Sequence, residues 1–478
     1  MEERKGFGTN FGFLMASVGS AVGLGNIWGF PNKMGANGGF TFLIIYLVLA
    51  VLCGFIVMVG ELALGRKTGQ GVVTAYKVLS KKFRWVGWLG ILSPFFILFF
   101  YCALGGYCLK YTVLNIGNLF NAGFGSNGMS GAEVFGAFMD NPTEAVIYGL
   151  IFVALTMLIV MGGISGGIEK VCSVGMPCLF VALIICIIRA CTLPGAVEGL
   201  KYMFVPGWAV ANGIIPEAPS FLTVLSTAGG QMFFSLSLGM GIMITYGSYL
   251  DKKENLEKNA ILIIVMDTLV ALMAGLCVIP GRFALDPEGN LGGPSLLFVT
   301  MQNVFHNMGV VGPIFGILFY LLVVFAAISS SISLLEAVVA HFVDKARESG
   351  KGDKRKKYTL IAAVAVGVGA ILICADSLGG ASFTPWKLLG LETYSGWNDC
   401  WLDFFDMLSE GIMMPLSALL MSLMIGWELG PEIVKNECEA TPGHRMASYG
   451  FFKICIRFIT PLCMLLVLYG QVCTFFGL

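Results

Sequence analysis

Eleven stretches of mostly apolar residues, each about twenty residues or longer, limit what this chain can fold into more than any other feature. They fall at 11–36, 40–65, 88–116, 143–163, 167–191, 222–250, 258–281, 312–342, 358–376, 398–427 and 449–476. A helix of that length crosses a hydrocarbon core about 30 Å thick. In lipid, each backbone amide must bond within its own segment, so every stretch is expected as a helix. Composition agrees: 57% of the 478 residues are hydrophobic and 12% are charged, about half the charged fraction of a soluble domain. The expected fold is therefore all-α and polytopic, with the lipid bilayer as solvent for its outer faces. The first stretch is long, punctuated by polar residues, and shows no small-residue cleavage site, so it reads as a span and not as a removed leader.

The net charge is zero and gives no sign of a nucleic-acid partner; no obligate protein partner is expected either. The distribution of charge says more. With the N-terminus cytoplasmic, 21 of the 29 Lys and Arg residues lie in inside segments, the largest group being seven at 345–357. The opposite orientation breaks the positive-inside rule. An odd number of spans then puts the C-terminus outside a cell (inner) membrane. The fourteen Cys are scattered without a C-x-x-C pair, and the three His (His306, His341, His444) are not clustered. Neither a metal constellation nor a nucleophile–base set is assembled, so the chain does not read as an enzyme.

Two spans carry residues that a continuous helix does not want at mid-depth. Span one runs Gly19-Ser20-Ala21-Val22-Gly23-Leu24-Gly25-Asn26-Ile27-Trp28-Gly29, and span six runs Gly229-Gly230-Gln231-Met232-Phe233-Phe234-Ser235-Leu236-Ser237-Leu238-Gly239-Met240-Gly241. Gly19 and Gly23 alone fit helix–helix packing through small residues. The pairing of the two spans points further. If spans 1–5 (11–191) and 6–10 (222–427) are two repeats, the interruptions stand in corresponding positions, which is the sequence mark of a transport site. Unwinding frees carbonyls for a cation and amides for an anionic group.

These residues carry a resemblance. The run Gly19 to Trp28, followed by Phe30-Pro31 and Asn37-Gly38-Gly39, resembles the first-span signature of the neurotransmitter:sodium symporter family. Glu61 to Arg66, Gln231 to Gly241 and Ser329-Ser330-Ser331 are similar to that family's motifs in spans two, six and eight. The resemblance spans nearly all of residues 1–478 as one transporter domain, with 449–476 as an eleventh helix, as in some bacterial members. It implies a five-plus-five inverted repeat with helices 1 and 6 broken at the midplane, working by alternating access.

The resemblance also implies roles. One sodium ion is expected on the carbonyls of Gly19, Val22 and Ala326 and the hydroxyls of Ser329 and Ser330. A second is expected on the Ala21 carbonyl, Asn26, Ser235 and Asp267, completed by the carboxylate of the substrate. Tyr101 is expected to bind that carboxylate, and Ala21, Gly23, Gly25 and Ser235 to line the site from the breaks. Ile97, Phe234, Ser237, Met240, Ser330 and Leu334 are expected around the substrate side chain. Monoamine carriers of the family have an Asp at the position of Gly23, so this substrate is expected to bring its own carboxylate. An apolar pocket then implies a neutral hydrophobic or aromatic α-amino acid, with Asp267 supplying the charge that chloride supplies in animal members.

An inner gate is expected between Arg4 and Asp344, supported by Tyr249. Gly167 and Pro177 match a family spacing for partial unwinding of span five. The outer gate departs from the pattern: Gly29 replaces the usual Arg, and Ser409 stands near the usual Asp, with Glu410 beside it. Outer closure is therefore expected from Tyr101 and Phe234 with the packing of span ten. A sodium-dependent sensor of the same fold would share this site and lack only the flux.

Overall fold

The computed structural model describes residues 7–288, 293–350, 354–390 and 399–476, and their regular structure is helical, without a strand. Nine helices among them are long and apolar enough to cross a membrane, and the bent pair Asn10–Ala21 and Gly25–Ala36 makes a tenth span. These ten match ten of the expected stretches. The remaining one, 222–250, is present as two shorter helices, Phe221–Ser235 and Ile242–Gly247. Arg4, half of the expected inner gate, lies outside the described residues.

Spans three and eight form the frame. Span three is one helix from Val86 to Phe120, and span eight runs from Gly312 to Glu348. At 1.5 Å per residue each is about 50 Å long, more than the hydrocarbon core needs. They pack along each other, and the first half of span one lies against spans five and eight. This brings Tyr101 together with Ser330 against the break in span one, with Ser329 beside them. Apolar side chains such as Leu158, Val181, Val364 and Phe458 are exposed on the outer surface of the bundle. In lipid that exposure costs nothing.

Both expected breaks are real, and each has a local cause. Span one bends by 44° between its halves. Val22 leaves the helix at ψ 103, and the chain resumes at Gly25 as a wide π turn. Span six unwinds at Leu236 and takes left-handed φ values at Ser237 (54°), Gly239 (74°) and Gly241 (70°). Gly239 must be glycine twice over: its φ disfavours a side chain, and a Cβ there would lie 2.4 Å from the Met414 carbonyl oxygen. Span five, by contrast, is helical from Ile164 to Cys191. Its expected unwinding at Gly167 takes the form of a single π turn, Ile164–Ile168, and Pro177 sits inside the helix that follows.

Candidate solute and cation binding site

An intact helix would bond the Gly23 and Leu24 amides to the Gly19 and Ser20 carbonyls. Here the Gly23 amide instead donates to Asn26 Oδ1 at 2.9 Å, and the Leu24 amide to Tyr101 Oη at 2.9 Å. The carbonyls of Gly19 and Ser20 are thereby released, and they turn toward span eight. Ser330 Oγ lies 3.3, 3.0 and 3.3 Å from the carbonyl oxygens of Gly19, Ser20 and Val22. Ser329 Oγ lies 3.3 Å from Val22 O and 2.9 Å from Ala326 O. Ser20 O also accepts from Ser237 Oγ, and Ala326 O lies inside the unbroken helix of span eight, whereas the Gly19 and Val22 carbonyls meet the Ser329 and Ser330 hydroxyls at 3.3 Å, longer than an ordinary O–H···O hydrogen bond. An all-oxygen cluster with contacts this long suits a hard cation. It contains every residue expected at the first sodium site, together with Ser20, which sequence reasoning did not include.

A second oxygen-rich group sits across the break, on span seven. Asn26 Nδ2 donates to Ser235 Oγ (3.0 Å), Asp267 O (3.1 Å) and Asp267 Oδ1 (2.7 Å). Ser235 Oγ is 3.0 Å from each carboxylate oxygen of Asp267, and Tyr46 Oη reaches Asp267 Oδ2 at 3.3 Å. Asn26, Ser235 and Asp267 are fully buried. A buried carboxylate needs a positive partner or several donors, and here neutral donors alone surround it. The expected residues Asn26, Ser235 and Asp267 come together. Tyr46, from span two, was not foreseen; one Tyr in an apolar span gives no signal.

Between the two groups lies a tight cavity, closed down to about the space of one water. The breaks contribute Ser20, Ala21, Gly23, Gly25, Phe234, Ser237 and Met240; spans three and eight contribute Ile97, Tyr101, Ser330 and Leu334. Ten of the eleven residues expected at the substrate site line it. Ser235 does not, because its hydroxyl is turned to Asp267. Ser237 Oγ donates to Ser20 O at 2.9 Å and joins the two breaks directly. At Gly23 a Cβ would stand 2.2 Å from Ser330 Oγ and 2.3 Å from Tyr101 Oη, so only glycine leaves this corner open. Because Tyr101 accepts the Leu24 amide, its own proton is available to an acceptor in the cavity. A larger cavity of about 430 Å³ near Asn115, Gln302 and His306 contains none of the expected site residues.

Glu61 supports the second break. It is buried in span two, and its Oε1 accepts the Gly239 amide at 2.7 Å, replacing the carbonyl that an unbroken helix would offer. On the cytoplasmic side as read from charge, Tyr249 Oη donates to Glu336 Oε1 (2.9 Å), and Glu336 also pairs with Arg355. Asp344 Oδ2 accepts the Gly71 amide at 3.2 Å. Tyr249 therefore bonds to Glu336, a residue sequence reasoning passed over. On the other side, Phe234 roofs the cavity, with its ring 6.3 Å from that of Tyr101. One turn beyond Gly29, Lys33 forms an ion pair with Glu410 of span ten. The pair is displaced from the expected positions: Lys33 is four residues past Gly29, on the same helix face, and Glu410 is next to Ser409.

Comparisons with known proteins agree with this architecture. The family model described as the sodium:neurotransmitter symporter family matches residues 4–121 and 140–477. The sodium-dependent transporter YhdH of Bacillus subtilis (strain 168) is 34% identical over 467 residues, covering 96% of each chain. The sodium-dependent serotonin transporter of Drosophila melanogaster is 24% identical, over 97% of this chain and 76% of its own. The crystal structure of MhsT in complex with L-phenylalanine superimposes with a TM-score of 0.83 at 33% identity, over 98% of this chain and 100% of that one. The chain is a transporter protein that belongs to the sodium:neurotransmitter symporter family.

Proposed function

We propose that this protein carries a neutral, apolar or aromatic α-amino acid into the cell together with two sodium ions, by alternating access and without chloride. The observation that carries the reading is the convergence of the Gly19, Ser20 and Val22 carbonyls, released by the break, on the Ser329 and Ser330 hydroxyls, directly beside a cavity lined by both breaks. One sodium fits that oxygen cluster. The other fits Asn26, Ser235 and Asp267, with the Ala21 carbonyl and the carboxylate of the substrate. Tyr101 donates to the same carboxylate, which makes substrate binding depend on the ion. Ile97, Phe234, Met240 and Leu334 give the cavity an apolar wall, and Met240 can repack around different shapes. The neighbour solved with L-phenylalanine is consistent with a substrate of this class.

The two halves 11–191 and 222–427 move against each other in this reading, with the N-terminus inside. Arg4 and Asp344 close the inner side. Asp267 supplies a fixed negative charge beside the second sodium, so no bound anion is required.

The test is uptake of each of the twenty radiolabelled amino acids into proteoliposomes, with and without an inward sodium gradient, in chloride and in gluconate. Gradient-driven uptake of apolar and aromatic amino acids is expected, equal in the two anions, and strongly reduced in gluconate for Asp267→Asn. Chloride dependence of the parent, or full chloride-free uptake by Asp267→Asn, would remove the role given to Asp267. Saturable binding without uptake would make the protein a sensor.

A further inference from the structure

Above Phe234, at the end of the bundle that the charge count places outside, lies a second cavity of about 200 Å³. Phe234 lines both cavities and is the wall they share. The upper one is bordered by three carboxylates of span ten, Asp403, Asp406 and Glu410, which stand one turn apart on one helix face. Among the described residues, Lys33 is the single cationic side chain that borders it. Its ammonium group is engaged by Glu410, whose side chain is 7% exposed. Glu410 can reach this far because Gly230 has no side chain: a Cβ there would stand 2.9 Å from Glu410 Oε1.

An independent feature points to the same kind of ligand. Gln231 is fully buried and also lines this cavity. Its Nε2 donates to the Gly25 carbonyl at 2.7 Å, which fixes the amide orientation. Among the described residues its Oε1 has no hydrogen-bond donor. That oxygen faces Gly29, where a Cβ would stand 2.9 Å away, and Gly29 too lines the cavity. A buried carbonyl-type oxygen without a donor among the described residues, in the same cavity as the Glu410 carboxylate held by Lys33, is an acceptor set that an entering cation could use.

We infer that this upper cavity is an antechamber for a monovalent alkali cation, with Lys33 as a tethered stand-in that the entering ion displaces from Glu410. Sodium on its way to the deeper sites takes up Glu410, Asp406 and Gln231 Oε1 as Lys33 swings toward water. While Lys33 remains paired, the outer half of span one is held to span ten and the route to Phe234 is closed. The inference rests on the transport reading above, since the ion that passes is the ion that drives uptake.

Equilibrium binding of radioactive sodium to the purified full-length protein at pH 8, without amino acid, tests it. Removal of the Lys33 charge in Lys33→Gln leaves Glu410 without its cation, so the vacated position is expected to hold sodium. Lys33→Gln should bind one sodium per chain more than the parent, at concentrations that saturate the parent. The added ion should be lost in Lys33→Gln with Glu410→Gln. A gain cannot come from a variant that has failed to fold. Equal stoichiometry in Lys33→Gln and parent would overturn the antechamber, as would a gain that survives Glu410→Gln. No sodium bound by the parent would instead defeat the transport reading. Displacement of the added sodium by methylammonium but not by lithium would assign the position to amines and overturn the alkali-cation inference.

Discussion

Asn26→Ala should abolish sodium-driven uptake, with apparent substrate affinity in sodium falling by at least about 100-fold, or ~2.8 kcal/mol. Asn26 does more than offer one oxygen to an ion. Its Oδ1 takes the Gly23 amide, and its Nδ2 joins Ser235, the Asp267 carbonyl and the Asp267 carboxylate. Removal of the side chain deprives a fully buried carboxylate of its closest donor and lets the break in span one change shape. Loss of a partner from a buried charged group costs about 1–3 kcal/mol or more. Asn26→Asp keeps an oxygen in place and separates ligation from collapse: partial recovery of sodium dependence is expected there. Full uptake by Asn26→Ala, in a preparation that elutes as a single species, would remove Asn26 from the site.

Gly23→Asp is expected to have an effect as large, for a different reason. A Cβ at this position already meets Ser330 Oγ and Tyr101 Oη at 2.2 and 2.3 Å. The added carboxylate would then occupy the corner assigned to the carboxylate of the amino acid, and two like charges in a small, poorly solvated site repel strongly. Equilibrium binding of the identified amino acid should fall by at least about 100-fold. Gly23→Ala carries the steric part alone and should bind more tightly than Gly23→Asp. Unchanged affinity in Gly23→Asp would move the substrate carboxylate elsewhere in the cavity.

The sequence made some of this visible and hid the rest, for physical reasons. Helical spans could be read because lipid forces each segment to satisfy its own backbone. The breaks could be read because Gly23, Gly25, Gly239 and Gly241 are costly inside a helix and cluster where nothing else explains them. Ser237 was legible only in part. A serine in a left-handed conformation has no sequence signal, yet its hydroxyl links the two breaks through Ser20 O. What could not be read are polar contacts between distant spans. Glu61 meets Gly239, Tyr46 meets Asp267, and Lys33 meets Glu410 across separations of 178, 221 and 377 residues. None of these pairs has a local pattern, because each is fixed only by how the helices pack. The outer ion pair shows this most clearly. At the position usual for the family, the sequence shows only Gly29, and the charge that matters stands one turn away.

The central claim is that the two broken helices build one site in which the ion and the solute bind together. The most direct measurement is the dissociation constant of the identified amino acid on the purified protein across a sodium series, with choline keeping ionic strength constant. The account predicts tight binding that weakens steadily as sodium is withdrawn and is absent in choline. Equal affinity in sodium and choline would contradict it, because Asn26, Asp267 and the released carbonyls of span one would then hold no ion that the solute depends on.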